Sequence, residues 1–135
     1  MIRKGRFALW GNKEYELVSY QRQYYLQSED PLDLEHGFVE KNGIKPIFVK
    51  SVSIRELEDA YVIVPFAMIA GHRFAVEGYN EKVGKVALVT NNPFVKEKMD
   101  VRAYGKFEYI IEISLEEIQI EEDRVPILGF ESVHT

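Results

Sequence analysis

The strongest constraint on this chain is that it repeats itself. Ser53 to Leu57 (SIREL) returns as Ser114 to Ile118 (SLEEI), at a shift of 61. Upstream, Ser28 to Gly43 runs parallel to Thr90 to Gly105 at a shift of 62, placing Pro31 on Pro93, Glu35 on Glu97, Val39 on Val101 and Gly43 on Gly105. Further upstream, Phe7 to Tyr20 parallels Phe66 to Tyr79 at a shift of 59. Three collinear matches whose shifts drift by a few residues are what loop insertions leave in a duplicated unit. The chain therefore divides at 1–63 and 64–135, the second half carrying an extra C-terminal tail.

Each unit reads as short strands. Phe7 to Trp10 leads into Gly11-Asn12-Lys13, a hairpin signal because Gly and Asn tolerate positive φ. Tyr15, Leu17 and Ser19 alternate as a second strand, and Tyr24 to Gln27 forms a third. Asp30-Pro31 places a capping carboxylate before a proline that suits a first helical position, so Leu32 to His36 is a short turn that Gly37 ends. Lys45 to Val52 is a fourth strand, Ser53 to Leu57 a single turn, and Ala60 to Val64 a fifth strand. The second unit follows, with a hairpin at Ala70-Gly71, a strand at Val86 to Val89, a capped turn from Asn92-Pro93 to about Met99, and a strand from Phe107 to Ile113. In that strand Phe107, Tyr109, Ile111 and Ile113 share one face.

Ser114 to Glu117 has the spacing of a capping box, in which a hydroxyl and a carboxylate satisfy each other's backbone N–H groups. One helical turn before the last of five strands resembles the corner of an SH3-like small barrel. The fold class expected is mainly β, with two tandem SH3-like small β-barrel repeats packed together. The turn would carry the chain across the sheet so that the barrel closes and hides its edges. Tyr61 to Phe66 would end one repeat and begin the next. Lys50 stands where Ile111 predicts an apolar residue, which marks strand four of the first unit as an edge or a binding face. The tail from Val125 to Phe130 is apolar enough to dock, and Glu131 to Thr135 is expected to fray.

Composition narrows the chemistry. The absence of cysteine excludes disulfides and thiolate metal sites. The apolar run near the N-terminus stops at Trp10, too short for a signal segment. Nothing approaches the ~20 apolar residues of a membrane-spanning helix. A soluble cytoplasmic protein is expected. The net charge of −5 falls mostly on the second half, −4 against −1. That disfavours nucleic acid and suits a basic protein partner. His36, His72 and His134 show no metal-ligand spacing, no serine sits in a G-x-S-x-G elbow, and no phosphate loop occurs. No cofactor, metal or catalytic residue is expected. The candidates for partner binding are the aromatics Trp10, Tyr20 and Tyr24, with Tyr15 and Tyr25 read as core, and the acids Glu116, Glu121, Glu122 and Asp123.

Lys4 to Ala8 (KGRFA), Gly11 to Leu17 (GNKEYEL), Gly37 to Lys41 (GFVEK) and the two Ser-x-x-Glu corners resemble a family of small Gram-positive bacterial proteins. Proteins of this kind are similar to immunity proteins carried beside polymorphic or contact-dependent toxins. The resemblance runs from about Arg3 to Phe130. It implies a cytoplasmic inhibitor that binds one cognate toxin domain and carries no catalytic residues. Two other readings stand beside it. One is a tandem SH3-like reader of peptide or nucleic acid, the other an enzyme using a carboxylate pair.

Overall fold

The computed structural model describes residues 2–131. It is mainly β, and its strand pairs are antiparallel. Two compact units emerge. One holds residues 5–63 with 124–131; the other holds residues 2–4 with 64–123. The C-terminal segment expected with the second repeat thus belongs to the first unit from Arg124 onward. Of the tail expected to fray, residues 132–135 lie outside the described residues.

In the 5–63 unit, β1 (Gly5–Trp10), β2 (Lys13–Tyr20), β3 (Gln23–Ser28) and β5 (Ile47–Val52) form a meander, with β4 (Val39–Lys41) beside β5. The Ser53 turn follows, and β6 (Asp59–Ile69) then pairs with β1 through residues 59–63. The 64–123 unit repeats that succession. The second half of β6, then β7 (His72–Asn80), β8 (Lys85–Thr90) and β10 (Tyr109–Ser114) form the meander, with β9 (Arg102–Ala103) beside β10. After a turn at Leu115–Glu117, β11 (Glu121–Pro126) pairs with β6. The turn therefore carries the chain from one side of the sheet to the other, as the sequence suggests. Closure does not follow. The order β4-β5-β3-β2-β1-β6 is open, as is β6-β7-β8-β10-β9, and no ladder joins their ends among the described residues. The strands β4 and β9, unmarked in the sequence, supply the outer edges.

Local chemistry explains the punctuation. Gly11 and Asn12 both have positive φ, 60° and 63°, which the two-residue β1–β2 hairpin requires. Asp30 accepts the Leu32 N–H at 2.9 Å, and Asn92 accepts that of Phe94 at 3.0 Å. Each carboxylate or amide thereby satisfies a donor that a helix start leaves open. Gly37 ends the first turn at φ 89°. Pro65 is buried between Ile63, the last residue paired with β1, and Phe66, the first paired with β7. Its missing N–H breaks neither ladder.

Two expectations need correction. The capping box forms at Ser53, where Glu56 accepts the Ser53 N–H at 2.6 Å, but Ser114 makes no side-chain cap. There the Leu115 N–H donates instead to the Gly84 carbonyl at 2.9 Å, so a neighbouring hairpin holds the turn. Strand β10 starts at Tyr109, because Phe107 has φ 65° and turns outward, 76% exposed.

Each unit has its own core. Ala8, Tyr15, Leu17, Leu26, Phe48 and Val52 pack on one face of the 5–63 sheet, and Ile127, Leu128 and Phe130 of the C-terminal segment lie against them. Ala67, Phe74, Val76, Val86, Leu88 and Val95 do so in the 64–123 unit.

Candidate functional site

The alternation of β2 and β3 places Tyr15, Leu17, Tyr24 and Leu26 toward the core, and Val18, Tyr20 and Tyr25 on the opposite face. Register then groups the outward set. Val18 stands opposite Tyr25, and Val49 opposite Val39. Val18, Tyr20, Tyr25, Lys41 and Val49 line an open groove of about 280 Å³. Tyr20 is 66% and Val39 61% exposed.

The repeat supplies a comparison within the same molecule. By register, Gly78 stands opposite Ala87 as Val18 stands opposite Tyr25. Asn80 takes the place of Tyr20, Glu112 that of Ser51, and Arg102 that of Val39. A hollow of about 700 Å³ opens there, lined by Gly78, Asn80, Lys85, Ala87 and Glu112 among others. Beside it, Arg102 and Glu112 form an ion pair at 3.2 Å. A bulge between Val76 and Gly78 shifts the register at this point. One face of one fold thus carries grooves of opposite character, aromatic and aliphatic in the first unit, polar and charge-paired in the second.

The second feature of the 5–63 unit is a carboxylate on the core side. Asp33 is 1% exposed. Its Oδ1 accepts the Tyr15 hydroxyl at 2.7 Å and lies 3.3 Å from His36 Nδ1. Its Oδ2 accepts the Ser28 hydroxyl at 2.5 Å and the Lys13 ammonium at 3.0 Å. Burial pushes the Asp33 carboxyl upward, but the hydrogen bonds from Ser28, Tyr15, Lys13 and His36 outweigh it and hold the group below the usual carboxylate range. Burial, and then the bond to Asp33, push the Tyr15 hydroxyl well above its ordinary value. Both oxygens of Asp33 are occupied, so the network ties β2, β3 and the Pro31–His36 turn together. The equivalent positions in the repeat are Val95, Phe74, Thr90 and His72. Val95 and Phe74 are fully buried there. The fold can therefore be built without the charge. Sequence reasoning passed over Asp33; its signal was an aspartate aligned with a valine.

The candidate residues named from the sequence do not gather. Trp10 and Tyr24 pack against the core cluster of the 5–63 unit, Trp10 edge-on to Phe38 at 6.0 Å with the Lys50 ammonium 5.2 Å from its ring. That contact accounts for Lys50, whose stem lies on the core side. Tyr20 points the other way, where its companion is Tyr25, half-buried and not core. Tyr15 is core, at 4% exposed. The acids belong to the other unit. Glu122 binds Arg3 at 2.8 Å and Asp123 binds Arg73 at 2.7 Å. Glu116 and Glu121 are exposed, with no side-chain ion pair among the described residues. Those residues hold no cluster of three or more metal-ligating side chains, and no helix long and apolar enough to cross a membrane. His72 contacts Asn92 at 3.1 Å, and His134 lies outside the described residues.

Fold and surface together define a mainly β protein of two like units that differ in what their outer sheet faces offer. Residues 2–129 match the family described as Uncharacterised conserved protein UCP033725, and the chain belongs to that family. No curated protein and no solved structure matches it.

Proposed function

We propose that this protein is a binding module whose partner is another protein, and that it acts as an immunity protein, blocking a cognate bacterial toxin domain in the cytoplasm. The observation that carries the binding reading is the outer face of the 5–63 unit. Val18, Tyr20, Tyr25, Val39 and Val49 meet solvent where the repeat puts Gly78, Asn80, Ala87, Arg102 and Ile110. Exposed apolar surface that the fold does not demand is a mark of a contact site, and tyrosine is a favoured anchor there. The immunity reading rests on the sequence resemblance. In it, Glu116 and Glu121 are the acids left to steer a basic partner. Each unit is read as SH3-like on its connectivity, a meander followed by a turn and a fifth strand returning to the first.

Co-expression with the polypeptide encoded next to it tests the proposal. Wild type is expected to restore growth and to co-purify with that polypeptide, and Tyr20→Lys with Tyr25→Lys to do neither while remaining folded. Undiminished rescue by the double variant would move the site elsewhere; a neighbour without toxicity would remove the immunity reading.

A further inference from the structure

We infer that the groove of the 5–63 unit takes an extended, apolar segment of a partner protein that carries a carboxylate, and that Lys41 selects for it. The inference rests on the binding reading above and names the chemistry of the contact. Four of the lining side chains, Val18, Tyr20, Tyr25 and Val49, are apolar or aromatic, and Lys41 is the charged one. It lies on the outward face of β4, opposite Ile47. Lys41 is exposed and has no ion pair among the described residues.

The repeat sharpens this reading. On the same face of the 64–123 unit the cation Arg102 is already matched by Glu112 at 3.2 Å, and the Tyr104 hydroxyl by Glu77 at 3.2 Å. There the face neutralises itself. In the 5–63 unit Val39 and Ser51 stand in place of Arg102 and Glu112, so that pair is absent, and Lys41, at the register position of Tyr104, is the cation left beside the groove. A tyrosine-lined groove suits aliphatic side chains, since each ring buries area while its hydroxyl stays in water. The recognition element is therefore an aliphatic residue in the groove with Asp or Glu close by. This local preference runs against the net charge of −5, which by itself attracts cationic peptides.

The opposition makes the test stringent. The full-length protein is titrated with two short blocked peptides, one alternating Leu and Asp, the other Leu and Lys, while amide and methyl NMR signals are followed. The Leu/Asp peptide is expected to bind better by about two- to fivefold, the scale of one exposed charge pair, and to shift Val18, Tyr20, Tyr25 and Val49. Lys41→Glu is expected to reverse the preference. Because Lys41 is exposed on an edge strand, that variant keeps the fold, and its unperturbed core signals verify this. Equal or tighter binding of the Leu/Lys peptide to wild type, shifts outside the groove, no binding of either peptide, or an unchanged preference in Lys41→Glu would each overturn the inference. The peptide result does not depend on toxin rescue. Groove binding without rescue sinks the immunity reading alone, and rescue without the acidic preference sinks the groove chemistry alone.

Discussion

Asp33 shows what a single residue contributes when the same molecule contains its control. Removing the carboxylate alone, as Asp33→Ala, leaves the Tyr15 and Ser28 hydroxyls without their acceptor, while the half-exposed Lys13 ammonium keeps Asp30 and water. That should cost about 1–3 kcal/mol, the usual result of leaving buried hydroxyl donors without an acceptor. The double change Asp33→Val with Tyr15→Phe copies the pair Val95 and Phe74 of the other unit. It should recover most of the loss, because apolar groups of similar volume replace the network together. Urea denaturation of both variants measures this; equal losses would mean that the network is required for folding. The same pair gives a pH prediction. The folded Asp33 carboxyl titrates below its unfolded value of ~3.9. Its stabilisation is therefore complete above that pH and is lost as the pH falls through the folded value. Between about pH 4 and pH 2, the melting temperature of wild type should fall further than that of the double variant. None of this was legible in one copy of the sequence. Asp33 looked like part of a capped turn, and only β2–β3 register brings Tyr15 and Ser28 to it.

Elements were far easier to read than partners, because their signals are local. The hairpin at Gly11-Asn12, the caps Asp30 and Asn92 and the end at Gly37 each depend on a few neighbouring residues. The two Ser-x-x-Glu turns show the limit of that reading. They look alike in sequence, yet Glu56 caps its turn whereas the Leu115 N–H goes to Gly84. Glu56→Ala should therefore cost about 1 kcal/mol, as cap losses do. Glu117→Ala should stay within about 0.5 kcal/mol of wild type, as exposed substitutions do. Thermal melts of the two variants compare them directly, and equal losses would restore the capping box to the second turn. The onset of β10 was misplaced for a similar reason. Phe107 fits the alternation, but the turn from Gly105 demands a positive φ there and sends the ring into solvent. The bulge at Val76 to Gly78 left no clear mark on the pattern, and it decides which residues face the groove.

At the scale of the whole molecule, duplication was visible because it is written in the sequence, whereas the expected closure was wrong, because the outer strands β4 and β9 that leave each sheet open are too short to mark the pattern. What the duplication provides is one scaffold used twice, once with a polar outer face and once with an apolar one. The central claim is that the apolar face of the 5–63 unit holds the partner. It is tested most directly by calorimetric titration of the polypeptide recovered by co-expression into wild type, Tyr25→Ala and Glu112→Ala. These two substitutions probe register-related grooves in the two units. The account predicts that Tyr25→Ala weakens binding at least about tenfold, the loss of a central aromatic contact, while Glu112→Ala leaves affinity unchanged. Equal affinities for wild type and Tyr25→Ala, with the loss appearing at Glu112→Ala, would contradict it.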